Sequence, residues 1–481
     1  MATQSIRQRR RVRTFAVVWT LITLVMGIVT FIAIYMVYGI VNTPRNTVTD
    51  SDSLALPVVV NTPTTVAAVA VVSSPMPTEP PTQVPPTATE QTVAQLPTAV
   101  EPTAVPPTPT MLPVDDRRFQ AGTQVQVSPD LNPDNQAGWM RDVHDKLHMD
   151  WYKQQVRWED VEPEQGQYNW AELDLALPTA AQFNLKVMLS IVTAPDWARE
   201  PGVDLSKHGP PADPQTYADF VGAILQRYPN MVHAIEVWNE QNLDREWTAV
   251  GGLSAQNYVE LLRVTTQTVK AIDPGVIIIS GALSPTGGWT DGGVVTAIDD
   301  FNYLDSLIQS GLLNYADCVG AHHNGYNIGP SVAWDNVPND PTATFRGPFD
   351  NPHHSWSFYS TLQTYANKIK LAGGDQPLCV TEFGWASTED LGGFPPGFEF
   401  ANDNTLQEQA DWTVEALDNM ESWGTVWLAF IWNYNYGPQA GWDPNNDNVP
   451  YSMIGKDWNF RPVFDAVSQW QQDYHKKIGA G

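Results

Sequence analysis

Two glutamates of this 481-residue chain lie at the ends of apolar segments, where an unpaired charge is costly. Glu240 lies in the segment Ile235–Asn242, and Glu382 lies in the segment Leu378–Trp385. Both segments have the composition of buried strands. Because carboxylates are almost never fully buried unless they are paired, Glu240 and Glu382 are candidates for a chemical role.

A pair of facing carboxyl groups is what glycoside hydrolysis requires. One group must be protonated and the other ionised, on either side of a sugar. Two neighbouring negative charges raise the pKa of one of the groups, which keeps a general acid protonated. The residues alone leave an alternative open, in which the two glutamates have a structural role and bind an arginine of the same domain or backbone amides.

The region from Asp115 onward contains short β-rich segments that alternate with amphipathic helical segments. This alternation is typical of βα units around a parallel sheet. Helices are predicted at Ser254–Ile272, with Ser254 as the N-cap, and at Asn404–Trp423. Strands are predicted at Thr123–Val127, Trp151–Val156, Lys186–Val192, Val232–Trp238, Val276–Ser280, Cys318–His322, Leu378–Glu382 and Val426–Trp432.

Eight such strands with intervening helices predict an α/β fold, a (β/α)8 TIM barrel that covers residues 115–481. Active sites of these barrels form at the carboxyl ends of the strands. Strands four and seven lie on opposite sides, so the two glutamates are expected to face each other across the mouth. The longest loops come after strands six, seven and eight, and we expect them to form the walls of the site.

The sequence around the two glutamates resembles that of clan A glycoside hydrolases. Trp238-Asn239-Glu240 is similar to their acid/base motif, and Thr381-Glu382-Phe383-Gly384 is similar to their nucleophile motif. Within the clan, WNEQNLDREW followed by YVELLRVTTQTVKAIDP is most similar to glycoside hydrolase family 39, which includes β-xylosidases and exopolysaccharide-cleaving enzymes. The resemblance extends from about Asp115 to Trp470.

The resemblance implies a role for each candidate residue. Glu240 would be the general acid/base and Glu382 the nucleophile of a retaining mechanism, with carboxyl groups about 5–5.5 Å apart and a covalent intermediate. The remaining residues would hold the sugar or the nucleophile: Asn239 at the 2-hydroxyl, His322 and Tyr326 after strand six, and Trp432 as a platform after strand eight.

Three positions depart from the clan pattern. Gln241 stands where the clan usually has proline, and His323-Asn324 replaces the usual Pro-Tyr, which bears on the role of Tyr326. Lys153 falls where the clan usually carries an arginine on strand two, and a lysine offers a point charge without a planar fork. Arg157 on the same strand is the alternative partner for the nucleophile.

Side-chain alternation along strands six and seven predicts where the two cysteines point. Cys318 shares a face with His322, whereas Cys379 is expected on the face opposite Glu382. One thiol is then expected inside the barrel and the other outside it. The sequence therefore predicts no disulfide between them.

Several weaker signals are interpreted as structural. Glu236 faces the same way as Glu240 and is predicted to pair with a buried Lys or Arg, the alternative being a third titrating group. The pairs His322-His323 and His353-His354 suggest zinc, but adjacent histidines point apart in a strand. Segment Asp443–Asp447 resembles the start of a calcium loop but lacks the required glycine and glutamate. The sequence predicts no metal and no cofactor.

The first 114 residues differ in composition from the rest of the chain. Residues 1–13 carry five arginines and no acidic residue, and the apolar segment 14–41 exceeds the roughly 20 residues that span a bilayer. The positive-inside rule then predicts a basic cytoplasmic tail, a single transmembrane helix and an extracytoplasmic location for the chain beyond residue 41. Residues 42–114 are rich in Pro and Thr, which predicts a disordered, extended stalk.

The formal net charge of −27 bears on the partners. An acidic surface repels phosphate backbones, so no nucleic-acid partner is expected, whereas neutral sugars feel no repulsion. The expected function is a membrane-anchored retaining glycosidase that cleaves β-linked oligo- or polysaccharides outside the membrane. The alternative is a non-catalytic carbohydrate-binding barrel displayed on the stalk.

Overall fold

Short apolar segments rich in β-branched residues form the strands of the barrel, because such residues pack well when both faces of a sheet are covered. The computed structural model describes residues 117–341, 343 and 352–480. Its barrel strands are β1 Gln120–Gln124, β2 Trp151–Arg157, β3 Lys186–Val192, β4 Ala234–Val237, β5 Ile277–Ser280, β6 Val319–Gly325, β7 Leu378–Trp385 and β8 Val426–Ile431. Strands β6 and β7 continue beyond their predicted ends.

A main helix follows each strand, and its start is readable in the sequence where a capping residue is present. Ser254 caps α4 through the backbone N–H of Asn257, and Thr405 and Glu408 form a capping box at α7. The helices are α1 Pro133–Arg141, α2 Ala171–Gln182, α3 Pro214–Arg227, α4 Ala255–Ile272, α5 Asp300–Gln309, α6 Phe358–Leu371, α7 Leu406–Trp423 and α8 Pro462–Ile478.

The eight strands form one parallel sheet that curves into a nearly closed barrel. Except for β5 and β6, neighbours in the chain are neighbours in the sheet, and β1 also pairs with β8. The seam between β5 and β6 is joined by the single bridges Ile279–Cys318 and Leu283–Ala321. This nearly closed barrel confirms the predicted (β/α)8 class, and it puts the carboxyl ends of β4 and β7 at the same rim.

The barrel interior is filled by side chains rather than open. Large apolar groups that occupy it include Trp151, Met188, Trp427 and Phe430, all of them buried. A second, larger apolar layer lies between the strands and the helices. Because the interior is packed, a ligand can be held only at the rim.

The prediction for the cysteines is wrong, since Cys318 and Cys379 form a disulfide with their Cα atoms 5.8 Å apart. Both belong to the apolar cluster inside the barrel. The pairing of β6 with β7 shifts by one residue at Thr381. Such a bulge breaks the alternation of side chains, so Cys379 and Glu382 do not lie on opposite faces.

Among the described residues, no helix is both long and apolar enough to cross a membrane. The predicted transmembrane segment 14–41 and the predicted stalk 42–114 lie outside the described residues.

Candidate active site

A cavity of about 480 Å³ lies at the carboxyl ends of the strands, within the size range of small-ligand sites. Loops that come after β7 and β8 contribute to its walls, as predicted. The cavity brings together most of the predicted site residues: Asn239, Glu240, His322, Tyr326, Glu382 and Trp432. The remaining one, Lys153, is fully buried and bonded to Glu382.

Glu240 leaves β4 through a tight turn. Trp238 and Glu240 have φ angles of 75° and 45°, in the left-handed region that non-glycine residues rarely adopt. The Glu240 N–H donates to the carbonyl of Ala282 at 2.9 Å, and the Trp238 indole donates to the carbonyl of Glu246 at 3.0 Å. Backbone strain of this kind persists where the surroundings fix it, and it clusters at active sites.

Lys153 holds Glu382 in a buried ion pair. Its Nζ donates to Oε1 of Glu382 at 2.8 Å and to the carbonyl of Thr381 at 3.0 Å. The same ammonium lies 5.6 Å from the centre of the Trp432 ring. Lysine thus stands where the clan usually has arginine. Its ammonium makes one hydrogen bond to the carboxylate, whereas a guanidinium can make two parallel ones.

Arg157, the alternative partner, does not reach Glu382. Its guanidinium contacts Glu159 and lies 3.5 Å from Asp160, just after β2. Its side chain is 41% exposed, in contrast to the buried Lys153. The two basic residues of β2 therefore serve different carboxylates.

His322 bridges the two glutamates. Its Nδ1 lies 3.3 Å from Oε1 of Glu240, and its Nε2 lies 3.8 Å from Oε1 of Glu382. Burial lowers the pKa of this imidazole, but the charges of Glu382 and Glu240 outweigh burial and raise that pKa above its ordinary value. The imidazole of His322 therefore lies between the two carboxyl groups and contacts both.

The surroundings of Glu240 favour its ionised form. Burial raises its pKa, but His322 and Arg245 outweigh burial and lower the pKa to about 2. The guanidinium of Arg245 lies 3.0 Å from Oε2 of Glu240, and its side chain is 69% exposed. An ionised carboxylate can accept a proton but cannot donate one.

Glu236 is fully buried, but the prediction that it pairs with a lysine or arginine is wrong. Its Oε1 accepts from the Thr381 hydroxyl at 2.6 Å and from the backbone N–H of Ala282 at 3.2 Å. Lys153 is bonded to Glu382 instead. Glu236 therefore connects β4 to the bulge of β7 that carries Glu382.

Arg245 and Glu246 were not predicted to belong to the site, although both lie in the segment WNEQNLDREW. Both line the cavity, and they lie 3.6 Å from each other. Burial and the charge of Glu240 raise the pKa of Glu246 to about 7, while Arg245 opposes the rise. The cluster of charges after Glu240 was the available signal, but the sequence does not show that this loop returns to the cavity.

Aromatic side chains form the apolar part of the cavity wall. Trp432, at the end of β8, is 8% exposed. Tyr326 packs edge-on against Phe400 and Trp356, with ring centres 5.0 and 5.7 Å apart. Burial and the charge of Glu240 raise the pKa of Tyr326 to about 12, which keeps its hydroxyl protonated. Tyr326 thus lines the cavity although the preceding residues depart from the clan pattern.

Asn239 and Gln241 flank Glu240 and differ in what they contact. Gln241, in the place of the usual proline, donates from Nε2 to the carbonyl of Gly281 at 2.8 Å. The Oδ1 atom of Asn239 is buried in the cavity wall and has no hydrogen-bond partner among the described residues. An unsatisfied buried amide oxygen is costly, so this atom is suited to accept a hydrogen bond from a hydroxyl group of a ligand.

Adjacent histidines were expected to point apart, and this holds for His322-His323 but not for His353-His354. His323 packs against Phe358 at 5.7 Å, whereas His322 contacts the glutamates. The rings of His353 and His354 lie only 3.8 Å apart. This second pair sits at the start of a 3-10 turn and not in a strand, so alternation does not separate the two side chains.

Solved structures of glycoside hydrolases share this fold. A family 39 glycoside hydrolase from Bacteroides cellulosilyticus WH2 superposes with a TM-score of 0.51 and 18% identity, covering 74% of this chain and 64% of that chain. A GH5_18 protein from Streptomyces cattleya in complex with GlcNAc gives 0.52 and 14%, covering 75% and 82%. A GH5_18 protein from Bifidobacterium longum subsp. longum in complex with Manβ1-4GlcNAc gives 0.51 and 13%, covering 74% and 79%.

The predicted resemblance to clan A and to family 39 is therefore confirmed at the level of the fold. This chain spans about 64% of the length of the family 39 structure. No family model matches the sequence, and no curated protein matches it.

Proposed function

We propose that the barrel is a retaining glycosidase for β-linked glycans, with Glu240 as acid/base and Glu382 as nucleophile. The observation that carries the proposal is the shared cavity in which His322 contacts both glutamates, which come from the ends of β4 and β7. The confirmed fold resemblance supports the same reaction class.

In the first step, a carboxylate oxygen of Glu382 attacks the anomeric carbon of the bound sugar. The bond from that carbon to the glycosidic oxygen breaks, and Glu240 gives its proton to the departing oxygen. A covalent glycosyl ester on Glu382 and an ionised Glu240 result. Lys153 orients the attacking carboxylate through its contact of 2.8 Å.

In the second step, Glu240 removes a proton from a water molecule. The water oxygen attacks the anomeric carbon, the ester bond to Glu382 breaks, and the sugar leaves with its original configuration. Glu240 is protonated again and Glu382 is ionised again. Both steps balance with one water consumed for each glycosidic bond that is broken.

The cavity walls supply binding groups for the sugar. Trp432 offers an indole face to the apolar face of a pyranose ring. The unsatisfied Oδ1 atom of Asn239 is suited to accept a hydrogen bond from the 2-hydroxyl. We assign Tyr326 and His322 to the remaining hydroxyls or to the nucleophile.

The acid step requires a proton on Glu240, whereas His322 and Arg245 lower the pKa of Glu240 and favour its ionised form. We propose that a bound sugar excludes water and displaces the exposed Arg245 side chain from Oε2. Both changes raise the pKa of Glu240, because desolvation disfavours the charge and the neighbouring cation is lost. Substrate binding would then favour the protonated form of Glu240, which the acid step requires.

The low pKa of Glu240 also favours a second candidate, a carbohydrate-binding barrel without turnover. Such a barrel would bind sugars through the same aromatic and amide groups. It would not need to protonate Glu240.

Turnover distinguishes the two candidates. The full-length chain is assayed on aryl β-glycosides, β-linked polysaccharides and Manβ1-4GlcNAc, and proton NMR records the anomer that is released first. The glycosidase proposal expects turnover with the β-anomer first. Sugar binding without turnover across the panel supports the binding barrel, and initial release of the α-anomer contradicts the retaining mechanism.

We further propose that segment 14–41 anchors the chain in the membrane and that segment 42–114 carries the barrel outside it. The disulfide between Cys318 and Cys379 supports an extracytoplasmic location, because disulfides persist in oxidising compartments. Protease added to intact cells should release the barrel. A barrel that stays protected until the cells are lysed would contradict this location.

A further inference from the structure

Outside the cavity, one cluster of side chains has the composition of a transition-metal site. Asp299 is the N-cap of α5, and His353 and His354 begin the turn that leads into α6. Among residues 117–341, 343 and 352–480, it is the one group of three or more His, Cys, Asp or Glu side chains whose ligand atoms all lie within 4.8 Å of one another.

Two of the three distances between the ligand atoms match those around a tetrahedral ion, and the third is at most 4.8 Å. The Nε2 atoms of His353 and His354 lie 3.3 and 3.2 Å from Oδ2 of Asp299. A tetrahedral zinc ion with bonds of about 2.0–2.1 Å holds neighbouring ligand atoms about 3.3–3.4 Å apart. The second carboxylate oxygen is already used, because the capping side chain accepts from the backbone N–H of Asn302 at 2.9 Å.

The contacts of Ser355 indicate which nitrogen of His354 carries the proton. The Ser355 hydroxyl donates to a carboxylate oxygen of the buried Asp300. Its contact of 3.1 Å with Nδ1 of His354 therefore requires the imidazole to be the donor. In the neutral imidazole, the Nε2 lone pair then faces Oδ2 of Asp299, and two acceptors at 3.2 Å repel each other unless a proton or a metal ion lies between them.

We propose that Asp299, His353 and His354 bind a divalent transition-metal ion, with Zn²⁺ as the best match and water in the fourth position. Two imidazoles and one carboxylate suit zinc, whereas calcium and magnesium prefer oxygen ligands alone. The contact from His354 through Ser355 to Asp300 is the outer hydrogen bonding that orients such ligands.

His353 is the weaker of the two histidine ligands. Its Nδ1 accepts from the backbone N–H of Ser355 at 3.2 Å, so its proton is on Nε2 in the metal-free protein. Binding at Nε2 moves that proton to Nδ1 and breaks the hydrogen bond to Ser355. Loss of Asp299 or His354 is therefore expected to weaken binding more than loss of His353.

The ion would connect the loop after β5 to the loop after β6. His353 packs against Trp356 at 5.6 Å, and Trp356 packs against Tyr326 at 5.7 Å. Tyr326 lines the cavity, so the site stabilises one wall of it. Binding of the ion does not depend on the proposed glycosidase activity, and its test does not use turnover.

The test uses the full-length chain without an affinity tag, purified in detergent and stripped with EDTA. Zn²⁺ is titrated by calorimetry, and Co²⁺ is added separately to record the visible spectrum of a tetrahedral ion. His354→Gln, Asp299→Asn and His353→Gln are compared with the wild type. His144→Gln is the matched control, because His144 forms an exposed pair with the neighbouring Asp145, away from the cluster.

We expect one Zn²⁺ per chain and a tetrahedral Co²⁺ spectrum in the wild type and in His144→Gln. His354→Gln and Asp299→Asn should bind Zn²⁺ about 100-fold more weakly or worse, and His353→Gln should fall between them and the wild type. The absence of saturable binding in the wild type would overturn the proposal. Wild-type affinity in both His354→Gln and Asp299→Asn would overturn it as well.

Discussion

The two glutamates of the cavity are held by different kinds of cation. Glu382 is bonded to Lys153, which is fully buried and belongs to a strand of the barrel. Glu240 is bonded to Arg245, which belongs to a loop and has a side chain that is 69% exposed. A nucleophile needs one fixed geometry in both steps, whereas an acid/base must gain and lose a proton. The difference in their cations matches the difference between their proposed roles.

Removal of the Glu382 carboxylate should have the largest effect on activity. Glu382→Gln keeps the size of the side chain but cannot form the glycosyl ester, so kcat should fall about 10⁴-fold or more. The control is Glu260→Gln, an exposed helical position that pairs with Arg263. Turnover of Glu382→Gln near the wild-type value would remove the nucleophile assignment.

The effect of replacing Glu240 on the first step should depend on the leaving group of the substrate. Glu240→Gln should lose about 10²- to 10⁴-fold in the first step with a poorly leaving alkyl glycoside, because the departing oxygen then receives no proton. An activated aryl glycoside needs little acid assistance, so its first step should remain fast in a burst experiment. Equal losses in the first step for both substrates would contradict an acid role for Glu240.

Lys153→Met tests the buried cation. It leaves the Glu382 carboxylate buried without its partner, which should cost about 3–5 kcal/mol of unfolding free energy and lower kcat as well. Lys153→Arg should recover part of both quantities, because it restores the charge. Chemical denaturation and kinetics measure the two effects, and full activity in Lys153→Met would show that this ion pair does not position the nucleophile.

Arg245→Met should have the smallest effect. The arginine helps to lower the pKa of Glu240 to about 2, so its removal raises that pKa and moves the alkaline limb of the kcat/KM profile to higher pH. Exposed ion pairs are worth about 0–1 kcal/mol, so the shift should be under about one pH unit. Arg263→Met is the control, and a shift to lower pH would contradict the role of Arg245.

The fold was predictable because its signals are local. Apolar strand segments, the cap at Ser254 and the capping box at Thr405 are each read within a few residues. The glutamates and most of their neighbours followed from the barrel geometry and the motifs. Lys153 as the cation for Glu382 was one of two candidates, and its contact with Glu382 decides between them.

The features that could not be predicted from the sequence depend on backbone irregularities and on the paths of loops. The bulge at Thr381 reverses the expected side of Cys379, and it also brings the Thr381 hydroxyl to Glu236. The return of Arg245 to the cavity depends on how its loop closes. The meeting of His353 with Asp299 joins two loops that are distant in the sequence. None of these features can be derived from side-chain alternation.

Covalent trapping tests the central claim most directly. The probe is a 2-fluoro glycoside of a sugar that the chain hydrolyses, with an activated leaving group. The fluorine slows both steps, and the leaving group keeps the first step faster than the second, so the glycosyl-enzyme accumulates. Peptide mass spectrometry then locates the label. We expect one label per chain, on Glu382. A label on Glu240 or on another residue would contradict the assignment, and turnover with no accumulated adduct and inverted product would contradict the retaining mechanism.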